Sequence, residues 1–181
     1  MKSFKHHLVE FDNPQIYCDM DGVVADFYTF TYQWIGTKFS DKYYPDIPVD
    51  TFARLPKMRD ADVLWGYIKQ FQPIMLTAAP RPARGAIAKR APEDKIRWMK
   101  KNFRVPRSRM RVVLRPDKKK FAKDGRDGRP NILIDDHAGN IKEWETAGGI
   151  GIVHTDAAST INDLKKIGFP KGEYVRIICN G

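Results

Sequence analysis

Short apolar runs that end in acids or a hydroxyl constrain this chain more than any other feature. Ile16, Tyr17 and Cys18 run directly into Asp19-Met20-Asp21-Gly22, and the stretch from Val23 to Ile35 reads as a helix. That order predicts a buried strand, a tight turn and a helix, with carboxylates at the strand's C-terminal end. The design recurs in PIMLT, which ends at Thr77 before a proline-rich loop, and in NILIDD, which ends at Asp135 and Asp136. MRVVLR and IGIVH supply two further short strands.

Helical segments alternate with these strands. Asp60 is placed to cap a helix in which Val63, Leu64, Tyr67, Ile68 and Phe71 recur at helical spacing. Pro92 is read as the start of the next, with Glu93 and Asp94 in its first turn and Lys100 and Lys101 near its end, as the helix dipole favours. Ala138 to Ala147 stops at Gly148-Gly149, and STINDLKKIGF gives the last helix before an unassigned tail. Trp65, Trp98 and Trp144 sit among apolar neighbours and are expected in the core. The stretch after Leu114, RPDKKKFAKDGRDGRP, has no apolar periodicity and reads as a basic loop. Strands alternating with helices indicate an α/β domain with a mostly parallel sheet, expected to occupy residues 1–181 as one unit.

The 181 residues are enough to bury one core. Net charge is +10, yet the stretch from Arg81 to Arg129 holds 19 basic and 5 acidic residues, so the remainder is slightly acidic. A basic middle suits an anionic partner such as a phosphate ester, a nucleotide or nucleic acid; a solvated surface is the plain alternative. Two cysteines, Cys18 and Cys179, make no disulfide framework, and no CxxC pair is present to hold zinc. The N-terminal MKSFKHHLVEFDNP lacks the apolar run of a signal peptide, His6 and His7 are too few for a metal tract, and no stretch approaches a membrane span. The expectation is a cytoplasmic protein with no membrane partner. No GxxxxGK[ST] or GxSxG motif occurs, and GGIG lacks the context of a dinucleotide site.

In open α/β sheets the ligand site lies outside the carboxyl ends of the strands. Asp19 and Asp21, Thr77, and Asp135 and Asp136 all fall there. Two carboxylates ~4 Å apart repel by about 4 kcal/mol at an effective dielectric of ~20, so something positive must compensate. An all-oxygen cluster suits a hard divalent ion such as Mg²⁺, which takes one or two carboxylates plus water and phosphate. Helix capping would explain any one of these acids, but not four at matching strand ends.

IYCDMDGVVADF, MLTAAP, a downstream basic segment and ILIDD stand in the order of the four motifs of the haloacid dehalogenase (HAD) superfamily, over about residues 14 to 155. DMDGVVADF resembles the DxDGxxxD signature of its phosphatases. Within the superfamily the chain looks most like the 5'(3')-deoxyribonucleotidases, on that motif, on EDKIRWMKKNF and LRPDK, and on ILIDD followed by NIKEW. The resemblance implies a Rossmann-like three-layer sandwich with a small cap inserted at about residues 27–62. It implies that Asp19 attacks phosphorus, that Asp21 protonates the leaving oxygen and then activates water, and that Thr77 and Ala78 bind the phosphoryl group. Asp19, Asp135, Asp136 and the backbone carbonyl of Asp21 would hold Mg²⁺. The phosphate lysine is best matched by Lys118, with Lys119, Lys120 and Lys123 nearby. Asp26, the signature's last acid, reads as a helix residue bonding to the turn, Cys18 as a packed thiol, and His137 as a neighbour that the motif does not require. Trp34, Tyr43, Tyr44 and Phe52 fall in the cap, where core packing competes with stacking on a nucleobase.

The implied activity is a Mg²⁺-dependent phosphomonoesterase acting on (deoxy)nucleoside monophosphates. Two alternatives stand beside it: a polynucleotide 3'-phosphatase that contacts nucleic acid through residues 81–129, and a noncatalytic nucleic-acid-binding module. The paired acids argue against the module, because without metal they repel phosphate.

Overall fold

A computed structural model describes residues 14–169; the N-terminal segment with His6 and His7, Cys179 and the end of the C-terminal tail lie outside them. Five parallel strands form one sheet: β1 (Ile16–Cys18), β2 (Ile74–Ala79), β3 (Met110–Leu114), β4 (Ile132–Asp135) and β5 (Ile150–Val153), in the order β3-β2-β1-β4-β5. The chain is therefore an α/β protein with a parallel sheet, as the alternation of strands and helices predicts.

Alternation along the strands divides the core between two faces. Ile16, Cys18, Met75, Ile132, Ile134 and Ile152 share one buried cluster with side chains of α3 (Ala61–Ile68), α4 (Ala86–Phe103) and α6 (Ala157–Lys166). Tyr17, Leu76 and Leu133 point the other way, into a smaller cluster with Ile141 and Trp144 of α5 (Ala138–Thr146) and with Ala122. A 3-10 turn, Arg115–Phe121, lies on this second face and packs against α5. The result is three layers. Between β1 and α3 the chain forms α1 (Phe27–Ile35), a 3-10 turn at Asp41–Asp46 and the short α2 (Thr51–Arg54), which packs on α4. Phe52 of α2 is buried and stacks on Phe27 with 5.6 Å between centroids. Among the described residues no helix is long and apolar enough to cross a membrane.

Several local expectations are corrected. The fourth helix begins at Ala86 and holds Pro92 inside it. Ile87, Ala88 and Ala91 continue the apolar face of Trp98 and Met99, and packing that face outweighs the one backbone hydrogen bond proline forfeits. Asp60 makes no side-chain cap on α3; its carboxylate accepts from the Ala157 amide at the start of α6 instead, at 2.5 Å. Val63 is 61% exposed, so the buried stripe of α3 runs through Ala61, Leu64, Tyr67 and Ile68. Residues 115–121 are not open loop, because burying Lys118 and Ala122 winds them into a turn. β2 runs two residues past Thr77, to Ala79.

Candidate active site

The recess that holds the acids follows from unequal strand lengths. β1 stops at Cys18, which pairs with Met75 on one side and Ile134 on the other. β2 continues to Ala79 along β3, and β4 continues to Asp135 along β5. Above the end of β1 the sheet therefore opens into a notch between Thr77 and Asp135, with Asp19 at its floor. Sheet order also places it there, since β2 and β4 follow β1 on opposite sides, the arrangement that opens a crevice in such folds.

Beyond β1 the chain makes a compact turn. The amides of Val24 and Ala25 both reach the Met20 carbonyl at 2.9 Å, and Met20, Val23, Val24 and Ala25 are fully buried. Gly22 adopts φ +77°, and a β-carbon there would lie 2.3 Å from Oδ2 of Asp136. Glycine is needed on both counts. The turn brings Asp21 back over the notch beside Asp19.

Two lysines meet these acids from opposite layers. Lys118, 3% exposed, comes from the 3-10 turn on the α5 side and places its ammonium 2.9 Å from Asp19 and 2.7 Å from Asp135. Of the four candidate lysines it is the buried one; Lys119, Lys120 and Lys123 are exposed. Lys95 comes from the inner face of α4, fully buried, and bonds to Asp21 and to the Thr77 hydroxyl, the latter at 2.8 Å. Its ammonium also lies 4.5 Å from the centre of the Phe52 ring. Because Thr77 accepts from Lys95, its own hydroxyl proton is free to donate into the notch.

Asp135 is fully buried and held on every side. The His137 amide and the Asn140 side-chain amide reach it at 2.9–3.0 Å, besides Lys118. Arg115 donates to Oδ1 of Asn140 at 2.7 Å, which turns the amide's nitrogen toward Asp135. Asp19 and Asp21 differ: each keeps one buried carboxylate oxygen, Oδ1, without a hydrogen-bond partner. Burial raises the pKa of both, against the pull of Lys118 on Asp19 and of Lys95 on Asp21. Asp136 is raised to about 7, by burial first and then by Asp19, Asp135 and Asp21. For Lys118, burial works against the charge, yet Asp19 and Asp135 outweigh it and raise the pKa.

Oxygen atoms of Asp19, Asp135 and Asp136 lie within 4.8 Å of one another. Three carboxylates converging there, one with an unsatisfied buried oxygen, fit a hard divalent cation. Four carboxylates against two ammonium groups leave the cluster with a formal charge of −2, which such an ion would offset.

Ala78 lies inside β2 opposite Val113. Asp26 caps α1 by accepting from the Thr29 amide, and His137 caps α5 by accepting from that of Gly139. Cys18 is fully buried, and burial pushes its thiol pKa up, so it stays protonated. Tyr28, Tyr32 and Trp34 are exposed on α1. The phenol pKa of Tyr28 is raised by the partial burial of its ring and then by Asp136 and Asp21, and that of Tyr44 by burial and then by Asp21.

Sequence reasoning missed Lys95, Asn140 and Arg115. For Lys95 a signal exists: it interrupts the apolar stripe of Ala91, Trp98 and Met99 on α4. Asn140 and Arg115 carry no such mark.

No family model matches the chain, and no curated protein matches it. Among solved structures, a hydrolase from Streptococcus pneumoniae TIGR4 is similar at 10% identity and a TM-score of 0.45, over 84% of this chain and 96% of that one. A HAD hydrolase of family IA, variant 3, from Entamoeba histolytica is similar at 12% identity and a TM-score of 0.39, over 88% and 91% of the two chains. Likeness at this level carries no functional argument, so the chemistry rests on the notch itself.

Proposed function

We propose that the protein is a phosphomonoesterase of HAD type that hydrolyses (deoxy)nucleoside monophosphates through an aspartyl-phosphate. The observation that carries this reading is the pairing in the notch: two acids two residues apart, each with a free buried oxygen, opposite two buried lysines and a buried threonine hydroxyl. Oδ2 of Asp19 is held by Lys118, so Oδ1 is the atom left to attack phosphorus. As the new oxygen–phosphorus bond forms, the ester bond breaks and Asp21 gives its proton to the departing alkoxide. Its raised pKa suits that donor role. In the second half Asp21 takes a proton from water, water oxygen bonds to phosphorus, and the bond to Asp19 breaks to release inorganic phosphate. Thr77, Lys118 and Lys95 would hold the phosphoryl oxygens and offset the charge that builds on them.

Asp19, Asp135 and Asp136, with the Asp21 carbonyl, would hold Mg²⁺, which when bound supplies positive charge to the phosphoryl group and aligns it with Asp19. Tyr28 and Tyr44, whose phenols feel the charges of the notch acids, support a nucleoside as the leaving group, because a base can stack on such rings. The polynucleotide reading loses part of its ground, since much of the basic segment 81–129 sits at the other end of the sheet: Arg109 bonds to Gln15 and Gln72, ahead of β1 and β2.

Phosphate release from a panel of 5'- and 3'-mononucleotides and 3'-phosphorylated oligonucleotides, with and without Mg²⁺, tests this. Release from mononucleotides with Mg²⁺, abolished in Asp19→Asn, is expected. Release from oligonucleotides alone would move the function to end healing, and no release from any substrate would refute a phosphatase.

A further inference from the structure

We infer that the end of the sheet opposite the acids is a docking surface for the phosphodiester backbone of nucleic acid. Between Lys95 and Pro116 the chain has nine basic residues and no acidic one. Lys95 belongs to the notch, Arg97 pairs with Asp94 and Arg115 lies at the rim of the notch, but Lys100, Lys101, Arg104, Arg107, Arg109 and Arg111 are carried elsewhere. α4 leaves the C-terminal end of β2 and returns to the N-terminal end of β3, so its last turn lies at the far end of the sheet. Arg109 fixes this end of the patch: its guanidinium bonds to the Gln15 side chain at 3.0 Å and to the Gln72 carbonyl and side chain at 2.6 Å.

None of these six meets a carboxylate within ion-pair distance among the described residues. Carbonyl oxygens hold some of them without neutralising them: Arg107 donates to Met110 at 3.2 Å, and Arg111 to Ser108 and Met110 at 2.8 and 3.0 Å. Asp62, near the end of α4 through Lys57, is paired with that lysine, and Asp124 and Asp127 are engaged by Arg126 and Arg129. The helix dipole accounts for Lys100, Lys101 and Arg104 at the end of α4, but not for the three arginines beyond it. Arg104 moreover occupies the left-handed cap, φ 55°, where glycine is the usual residue.

The occupant follows from what surrounds the charges. Lys100, Lys101, Arg104 and Arg107 are exposed across a face rather than gathered into a pocket, which suits an extended polyanion better than a small one. A membrane surface would call for apolar side chains to insert between the charges. Among the described residues the exposed large hydrophobic ones are Tyr28, Tyr32, Trp34, Val49, Val63, Leu114, Val153 and Ile167, and none falls between 95 and 111. With no exposed aromatic in this stretch among the described residues, the contact is to phosphates and reads no sequence. This surface is separate from the phosphatase reading and stands or falls without it.

Fluorescence anisotropy with a labelled 20-base-pair DNA duplex, in chelator, tests the surface. Binding should weaken by about 10² to 10³ between 50 and 200 mM salt, as expected when roughly four or five phosphates are neutralised. The triple substitution Lys101→Glu, Arg104→Glu, Arg107→Glu should cut affinity more than 10-fold and flatten the salt slope by about three. It should leave phosphate release from mononucleotides unchanged, and Asp19→Asn should bind the duplex as the native chain does. Should the triple variant fail to fold, Arg107→Gln alone is expected to reduce the slope by about one. Equal duplex affinity in the native and charge-reversed chains would overturn the inference. So would salt-insensitive binding, or capture by phosphatidylserine vesicles in the absence of duplex binding.

Discussion

The two halves of the notch hold a buried lysine each, yet they are built on different principles. On the α5 side, Lys118 lies between Asp19 and Asp135, and Asp135 is fastened by the His137 amide and by Asn140 as well. On the α4 side, Lys95 bridges Asp21 and Thr77 and rests against the Phe52 ring, while Asp21 keeps a free oxygen and stays partly open to solvent. The α5 half is the more heavily bonded, although Asp19, like Asp21, keeps one buried oxygen without a partner; in the proposed reaction it holds the nucleophile and the cation ligands. The α4 half is more open and carries Asp21, the group that exchanges a proton in the proposed reaction. An acid that protonates a leaving group needs access to substrate and water, whereas a ligand carboxylate needs an unchanging position.

The largest test of that contrast is Lys118→Met. Removing it leaves Asp19 and Asp135 facing each other without a cation, so kcat should fall about 10³-fold and stability in chelator by about 3–5 kcal/mol. Urea unfolding should show Mg²⁺ restoring part of the stability but not the rate. Lys95→Met should lower kcat by a smaller factor, about 10². Because Lys95 and Asp21 form one pair, Asp21→Asn combined with Lys95→Met should be more stable than the sum of the single changes, measured as a double-mutant cycle. Strict additivity would show that the pair is not coupled.

Gly22→Ala probes the cation side through the backbone. The new methyl must displace Asp136 and sit at positive φ, so half-saturation by Mg²⁺ should rise about 10-fold, with a stability loss of about 1–2 kcal/mol. The smallest expected effect is on pH dependence. Asp136 is raised from 3.8 to about 7, so between those values the folded protein holds a proton that the unfolded chain has released. Metal-free protein should therefore lose stability as pH rises through that window, with the effect complete above about 7. Asp136→Asn should flatten this trend in urea midpoints measured at pH 4.5 and pH 7.

The contrast between the halves also governs what could be read beforehand. Asp19, Asp21, Thr77 and Asp135 are marked by the ends of apolar strands, whereas Lys118 is indicated only by the family resemblance, beside Lys119, Lys120 and Lys123, and burial in the fold is what separates it from them. Lys95 sits in mid-helix, where a lysine ordinarily faces water, and only the apolar identity of its stripe marks it. Pro92 misplaced the start of that helix because a proline's local cost is visible in sequence, whereas the packing that overrides it is not. Asp60 likewise has the residue type of a cap, but its carboxylate reaches across to α6 once the two helices are packed.

The sequence by itself determined the elements and their polarity: apolar strands ending in acids, helices between them, and a tight glycine turn after Asp21. These are local properties, set by side-chain alternation, turn chemistry and the burial each run demands. Only the tertiary structure decided which strands are neighbours, how far each extends past β1, and which charges meet. The basic stretch shows why: contiguous in sequence, it is split by α4 between the notch and the opposite end of the sheet, because a crossover helix returns the chain across the full length of the strands.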